Sequence, residues 1–421
     1  MAIETDAADE ASARPQARPR AAWVRRLALL GPAFVASIAY VDPGNVAANL
    51  TAGARYGFLL LWVLVLANAS AMLLQYLSAK LGIVTGKSLP ELLAERMPRA
   101  GRLLFWAQAE LVSAATDLAE VLGGAIALNL LFDVPLVVGG LIVGAASIAL
   151  LAVQTNHQRR FEFAVMALLA VIAVGFFAGA VASPVDWHGF ADGLVPRFGG
   201  SDTVLLAASM LGATVMPHAV YLHSSLSRDR HRTDKSQKHR HALLAANRVD
   251  VVAALVIAGL VNVAMLVLAA DALRGQAGTD TIPGAHAAIV HALGPVVGIA
   301  FAIGLLASGF ASSSVGAYAG AVVMGALLEV RVPLLLRRAV TLIPALVVLA
   351  LGVDATRALV ISQVVLSIGI PFAIIPLIRL TGSREVMGDE ADAVPTRVVA
   401  VMVASGIVAL NLVLVWLAIT G

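Results

Sequence analysis

The chain has no cysteine. Disulfides, cysteine-held zinc and iron–sulfur clusters are therefore excluded. Charge is scarce as well. Only 13% of the residues are Asp, Glu, Lys or Arg, about half of the ~25% usual in a soluble domain. Neither a His-Glu-x-x-His pattern nor a Gly-x-Ser-x-Gly elbow occurs, so the common intramembrane and hydrolase chemistries lack their residues. What remains is apolar: 60% of 421 residues are hydrophobic. One soluble core cannot hide that excess. An ordinary cytosolic enzyme and a disordered chain are both ruled out. A bilayer crossing takes ~20 apolar residues, so this length holds about a dozen spans.

Eleven apolar stretches predict the spans: 27–54, 58–81, 103–131, 134–153, 161–182, 203–226, 249–270, 295–327, 339–353, 357–378 and 398–420. The ninth is short and is expected to begin near Pro333. The polar residues 1–22 read as a disordered tail, since no short apolar core with a cleavage site follows. The stretch 281–294, with Pro283, His286 and His291, reads as an interfacial segment before the eighth span. The fold class is thus an all-α membrane protein of eleven transmembrane helices.

The few charges orient it. With the N-terminus inside, the inner segments hold Arg14, Arg18, Arg20, Arg25, Arg26, Lys80, Lys87, Arg96, Arg99, Arg102, Arg159 and Arg160. They also hold the run from Arg228 to Arg248, then Arg331, Arg337, Arg338, Arg379, Arg384 and Arg397. That makes 25 of the 29 basic residues. Only Arg55, Arg197, Arg274 and Arg357 fall outside. The positive-inside rule then places the N-terminus in the cytoplasm and the C-terminus outside. The absence of targeting signals fits a multi-pass protein of a bacterial inner membrane.

Two spans are interrupted. Asp42-Pro43-Gly44-Asn45 breaks the first and Met216-Pro217-His218 breaks the sixth. Proline removes a backbone donor and clashes with the turn before it. Unwound backbone at this depth is tolerated only inside protein or along a wet cavity. An aspartate there costs at least about 2.5–3.5 kcal/mol and needs a reason. The breaks lie five helices apart, so the two broken helices run in opposite directions. This predicts two inverted repeats, 23–182 and 203–380, with an added helix over 396–421. In such carriers the breaks meet near the midplane and form the substrate site.

The breaks offer a carboxylate (Asp42), a carboxamide (Asn45), a thioether (Met216) and an imidazole (His218). Unwound turns add carbonyls, here those of Ala39 and Ala213. Thioethers offer little to Mg²⁺ or Ca²⁺ but suit first-row transition metals. The mixture points to reversible binding of Mn²⁺ or Fe²⁺. The bland reading is that methionine packs and proline kinks. Co-occurrence at matched positions favours a site.

These two motifs resemble the signatures of the Nramp family of divalent metal transporters, of its bacterial manganese-transporting type. Flanking segments agree in order: Gly31-Pro32-Ala33, Gln75-Tyr76-Leu77-Ser78-Ala79-Lys80-Leu81-Gly82, Thr116-Asp117-Leu118-Ala119-Glu120 and Tyr221-Leu222-His223-Ser224-Ser225. The resemblance implies a LeuT-like fold and import of Mn²⁺ and Fe²⁺, also Cd²⁺ and Co²⁺, with proton cotransport. It implies that Asp42, Asn45, Met216 and the Ala213 carbonyl hold the metal, joined in some states by the Ala39 carbonyl and Gln363. The departure is at Gly309-Phe310-Ala311-Ser312-Ser313-Ser314 and at Ala321, where many members carry glutamine.

The third span carries Glu110, Asp117 and Glu120 on roughly one face. Such a series needs partners or a wet path. By the same resemblance Asp42 accepts a proton, and His218, Glu120 and Asp117 connect it to the cytoplasm. Arg337 and Arg338 would pair with Glu110 and Asp117, and His223 would serve the exit. Structural ion pairing is the bland alternative for these acids, and metal ligation the alternative for His218. The basic run 228–248 reads as a solvated loop near headgroups, and the serines at 312–314 as a helix-packing turn. The expected partners are divalent metal ions, protons and the lipid bilayer, with no nucleic acid and no resident cofactor. Charge bias gives topology and not oligomeric state. Two competing readings are a sodium-coupled solute carrier on the same fold and a channel. The first calls for free amide donors and an apolar pocket, and the second for pore-ring sequences.

Overall fold

A computed structural model describes residues 32–156, 158–231, 237–276, 278, 279, 281–330 and 332–420. The tail 1–22, the start of the first span with Gly31, Arg331 and residues 232–236 of the basic run lie outside the described residues. Every element of the described chain is a helix. In order come α1 (Pro32–Ser37, continued by a 3₁₀ turn Ile38–Val41), α2 (Pro43–Tyr56), α3 (Leu61–Thr85) and α4 (Leu89–Arg96). Next are α5 (Arg99–Phe132), α6 (Leu136–Asn156), α7 (Gln158–Ala182) and α8 (Trp187–Asp192). Then follow α9 (Ser201–Thr214), α10 (Pro217–His231), α11 (Gln237–Ala272) and α12 (Ile282–Leu293). The series ends with α13 (Pro295–Leu328), α14 (Leu334–Ala350), α15 (Ala355–Thr381), α16 (Arg384–Met387) and α17 (Val394–Thr420).

Among the described residues, eight segments are long and apolar enough to cross a bilayer by themselves, with α9 and α10 counted as one. They match the second, third, fifth to eighth, tenth and eleventh expected spans. The other three expected spans are the broken α1–α2 pair, α6 and α14. The ninth does begin early, at Leu334, after Pro333. The stretch 281–294 holds the short helix α12, whose N-cap Thr281 hydroxyl accepts from Gly284 N at 3.1 Å. Helices α4 and α8 were not expected as separate elements.

Both breaks follow from proline chemistry, and both are narrower than the motifs. Asp42 alone is non-helical, and Pro43 opens α2 at the position where its missing N–H costs nothing. Asp42 caps that helix, accepting Asn45 N at 2.7 Å. At the second break only Val215 and Met216 are unwound, and Pro217 opens α10. His218 therefore sits on a helix rather than in the unwound turn. The freed carbonyls before Asp42 find partners on neighbouring helices. Asn262 Nδ2 of α11 donates to Tyr40 O at 2.7 Å, and Ser308 Oγ of α13 donates to Val41 O at 2.5 Å. These bonds hold the turn in a fixed shape at a depth where water is scarce.

Apolar area alone cannot assemble helices in lipid, so packing and polar contacts must. Helix α5 lies at the centre of the bundle, against α13, α15, α6 and α14. The two broken helices face one another, α2 against α9, and α15 also packs on α2. Gly123 of α5 lets the Pro43 ring come so close that any Cβ there would overlap it.

Candidate ion site and buried polar network

The two breaks meet. Asn45 Nδ2 donates to Asp42 Oδ1 at 2.8 Å and to the Ala213 carbonyl at 2.8 Å. Asp42, Asn45, Ala213 and Met216 are each at most 1% exposed. The carboxamide nitrogen thus bridges two oxygens that belong to different broken helices. A partial positive charge sits where two oxygen acceptors converge. Turning the carboxamide over would present Asn45 Oδ1 to that point, making a third oxygen. Thr214 Oγ1 lies 3.4 Å from Asn45 Oδ1 and donates to Met210 O at 2.7 Å.

Two buried oxygens next to this triangle have no hydrogen-bond partner among the described residues: Asp42 Oδ2 and Gln363 Oε1. An unpaired buried acceptor costs about 1–3 kcal/mol, more when charged. Gln363, on α15, lies over Gly44, where any Cβ would collide with its carboxamide. Ala39 lies in the 3₁₀ turn before Asp42, 1% exposed. No group of three or more His, Asp or Glu side chains is placed to hold a metal among the described residues. The donor set at the breaks is one carboxylate, neutral oxygens and one thioether.

The other expected residues split into two groups. The acids of α5 face α13 and α14. Arg337 Nη2 donates to Glu110 at 2.7 and 2.9 Å and lies 3.4 Å from Ser113 Oγ. Arg338 Nη1 lies 2.6 Å from Asp117 Oδ1, and both side chains are fully buried. Arg338 also donates to Ser147 Oγ at 3.0 Å and to Ser313 Oγ. Both oxygens of Glu120 are buried without a hydrogen-bond partner among the described residues. They lie beside Gly316 of α13, whose Cβ would stand 3.1 Å from Oε1. His218 Nδ1 reaches Thr116 Oγ1 on α5 at 3.5 Å.

His223 is not with them. Its Nδ1 meets Gln75 Oε1 of α3 at 2.7 Å, and Gln75 Nε2 donates to the Tyr40 hydroxyl. Five residues along a helix turn the side chain to a different face, so α10 shows His218 to α5 and His223 to α3. Neither the buried chain through Tyr40 and Gln75 nor the capping by Asn262 and Ser308 is expected from the sequence. A lone Asn262 in an apolar span was the available signal. Serines 312–314 do more than pack: Ser313 receives Arg338, while Ser312 and Ser314 donate to carbonyls one turn back.

A bundle whose two broken helices meet around a buried carboxylate, a carboxamide and a carbonyl belongs to the LeuT-like class of membrane carriers. The sequence profile described as natural resistance-associated macrophage protein-like, Nramp, matches residues 33–417, and the chain belongs to that family. It is 56% identical over 394 residues to a divalent metal cation transporter, MntH, of Mycobacterium tuberculosis, covering 93% of this chain and 92% of the relative. It is 44% identical over 414 residues to the MntH of Deinococcus radiodurans, covering 98% and 94%. Among solved structures, a manganese transporter of Eremococcus coleocola superposes with a TM-score of 0.84 at 31% identity, over 94% of this chain and 87% of that one. Mhp1, a nucleobase–cation symporter, shares the fold alone, with a TM-score of 0.57 at 17% identity. This is a multi-pass membrane protein and not an enzyme.

Proposed function

We propose that this chain is a secondary active importer of divalent transition metals, Mn²⁺ and Fe²⁺ with Cd²⁺ and Co²⁺, coupled to proton entry. The reading rests on one observation above all: Asp42, Asn45 and the Ala213 carbonyl converge on a single point at the two breaks, with Met216 in the unwound turn beside it. Relatives of closely similar sequence are divalent metal cation transporters by name, which supports the same conclusion.

Asp42 supplies the one full negative charge and Met216 the soft ligand. Asn45 turns its oxygen inward when a cation arrives, and Gln363 Oε1 and the Ala39 carbonyl join as the helices shift. Alternating access follows from the breaks, since each half-helix can move on its own hinge. A proton taken up at Asp42 leaves by way of His218, Glu120 and Asp117 towards Glu110, with Arg337 and Arg338 holding the acids in place. His223, turned towards α3, serves the proton's way out. The N-terminus lies in the cytoplasm and the C-terminus outside, in a bacterial inner membrane.

Uptake into proteoliposomes tests this. Mn²⁺ entry is expected to saturate, to persist in excess Mg²⁺ or Ca²⁺, and to rise with outside acidity while the lumen acidifies. Asp42→Ala abolishes entry. Equal inhibition by Ca²⁺ and Mn²⁺ would overturn the transition-metal reading, and Mn²⁺ entry without acidification would overturn cotransport.

A further inference from the structure

Far from the breaks, α15 and α17 pack on one another. Asn411 of α17 fastens them, donating from Nδ2 to the Ser367 carbonyl at 2.9 Å and accepting from Ser367 Oγ at 2.9 Å. Towards the basic end of the molecule the two helices enclose a groove of about 470 Å³. Ile375, Ile378 and Arg379 of α15 line it, with Val401, Ser405 and Leu412 of α17. Only 22% of the spanning stretch Val394–Val413 is buried within the protein, and Val401 and Leu412 are exposed. Against such a face on a spanning helix the medium is acyl chain and not water.

Charge decides which lipid fits. Arg379 stands in the last turn of α15 and Arg397 in the first turn of α17, so both lie at headgroup depth, where the spans leave the hydrocarbon. Arg397 lies over Gly382, three residues beyond Arg379, and donates from Nη2 to its carbonyl. Val401, one turn along α17 from Arg397, lines the groove together with Arg379. The two guanidiniums therefore flank the groove's mouth. Arg379 is exposed and has no ion-pair partner among the described residues. Arg397 spends one donor group on Gly382, and a guanidinium has five N–H donors. Two of the nearby acids are engaged elsewhere, Asp392 with Lys80 and Glu390 with His241. Among the remaining charges from 379 to 397, three arginines stand against Glu385 and Asp389. The mouth keeps a positive excess.

We propose that the groove between α15 and α17 is a binding site for an anionic phospholipid, with its phosphate between Arg379 and Arg397 and one acyl chain along Ile375, Val401 and Leu412. A pair of guanidiniums at the mouth of an apolar groove matches a charged head on an apolar chain. A second copy of this chain would have to bring an anion to the same depth. The proposal is independent of the ion carried. It gives α15, whose Gln363 lies over Gly44, a second fastening to α17 besides the Asn411 clasp.

The test titrates the full chain in detergent with dioleoyl-phosphatidylglycerol and counts bound lipid by native mass spectrometry. Arg379→Gln is expected to weaken binding by about fivefold, the share of one arginine at a membrane surface. Ser405→Phe leaves both arginines in place and fills the groove, and it weakens binding at least as much. If Ser405→Phe does not fold, Arg379→Gln decides alone. Arg99→Gln, an exposed arginine of α5 outside the groove, is expected to change nothing. Unaltered affinity in both groove variants overturns the site. Equal weakening by Arg99→Gln overturns it too, since attraction would then be spread over the basic face. Equal affinity for dioleoyl-phosphatidylcholine means that the arginines read no charge. Full competition by soluble glycerophosphoglycerol means that the groove holds no chain, and a dimer in place of bound lipid makes the occupant a second copy. Each of these three results also overturns the proposal.

Discussion

At the scale of single residues, the site turns on one carboxamide. Asn45 joins Asp42 Oδ1 and the Ala213 carbonyl through its nitrogen, so it senses both broken helices. On the proposed function a cation competes with that N–H pair for the same oxygens, and Met216 adds discrimination rather than charge. In Met216→Ala the preference for Mn²⁺ over Ca²⁺ is expected to drop by about tenfold, roughly 1.4 kcal/mol, with Mn²⁺ still carried. Competitive uptake assays read this directly, and an unaltered preference would dismiss the thioether argument. Asp42, Asn45 and Met216 could all be picked out in the sequence, because each is a polar or soft group where only apolar residues are cheap. Thr214 could not. Its hydroxyl lies against Asn45 only because α9 ends there, and a threonine in an apolar run carries no signal of its own.

At the scale of elements, α5 and α14 form a buried ionic seam. Glu110–Arg337 lies towards its open end, and Asp117–Arg338 is sealed within. Removing one partner of a buried pair typically costs about 3–5 kcal/mol, while replacing both by apolar groups is nearly neutral. Arg338→Leu is expected to lower unfolding stability in detergent by that amount, and Asp117→Leu with Arg338→Leu to restore most of it. Metal-linked proton entry separates structure from function. A purely structural pair predicts full recovery in the double variant, whereas a conducting Asp117 predicts stability without proton entry. The heptad spacing of Glu110 and Asp117 was visible in sequence. Their matching to Arg337 and Arg338, more than 200 positions away, was suggested by family resemblance alone. The opposite faces shown by His218 and His223 needed the packing of α10 between α5 and α3.

At the scale of the whole molecule, the basic residues mark one end, but not all lie in loops. Lys80, Arg337 and Arg338 are buried, and Lys80 pairs with Asp392 at 2.8 Å. The native chain contains no cysteine, so single cysteines report topology without background. An impermeant thiol reagent is expected to reach Arg384→Cys only from the cytoplasmic side and Ser201→Cys only from outside. Labelling from the reverse sides would invert the orientation. At the basic end Glu91 of α4 meets Arg228 of α10. Burial pushes the Glu91 carboxyl up, but the Ser88 N–H at 2.7 Å and the Arg228 guanidinium outweigh it and hold it below its ordinary value. A lowered carboxylate contributes its stabilisation above the unfolded value and loses it only as pH falls through the folded one. This strap is therefore intact across the range of about pH 5–7, where acid stimulates uptake on the cotransport reading. Glu91→Gln is expected to leave the shape of that pH profile unchanged, and a shifted profile would make Glu91 part of the proton response.

The sequence by itself determined the class of this protein, the number of spans, the sites of the two breaks and the residues worth asking about. Those features are local. Apolar runs of bilayer length, a proline that cannot donate and a carboxylate in a costly place announce themselves wherever they fall. Tertiary structure decided which polar atoms meet. Only packing could turn Asn45 onto the Ala213 carbonyl and seat Ser308 and Asn262 on the carbonyls that the first break sets free. Hydrogen bonds act over about 3 Å. Residues that far apart in space and over 100 positions apart in sequence leave no mark in either stretch of chain alone.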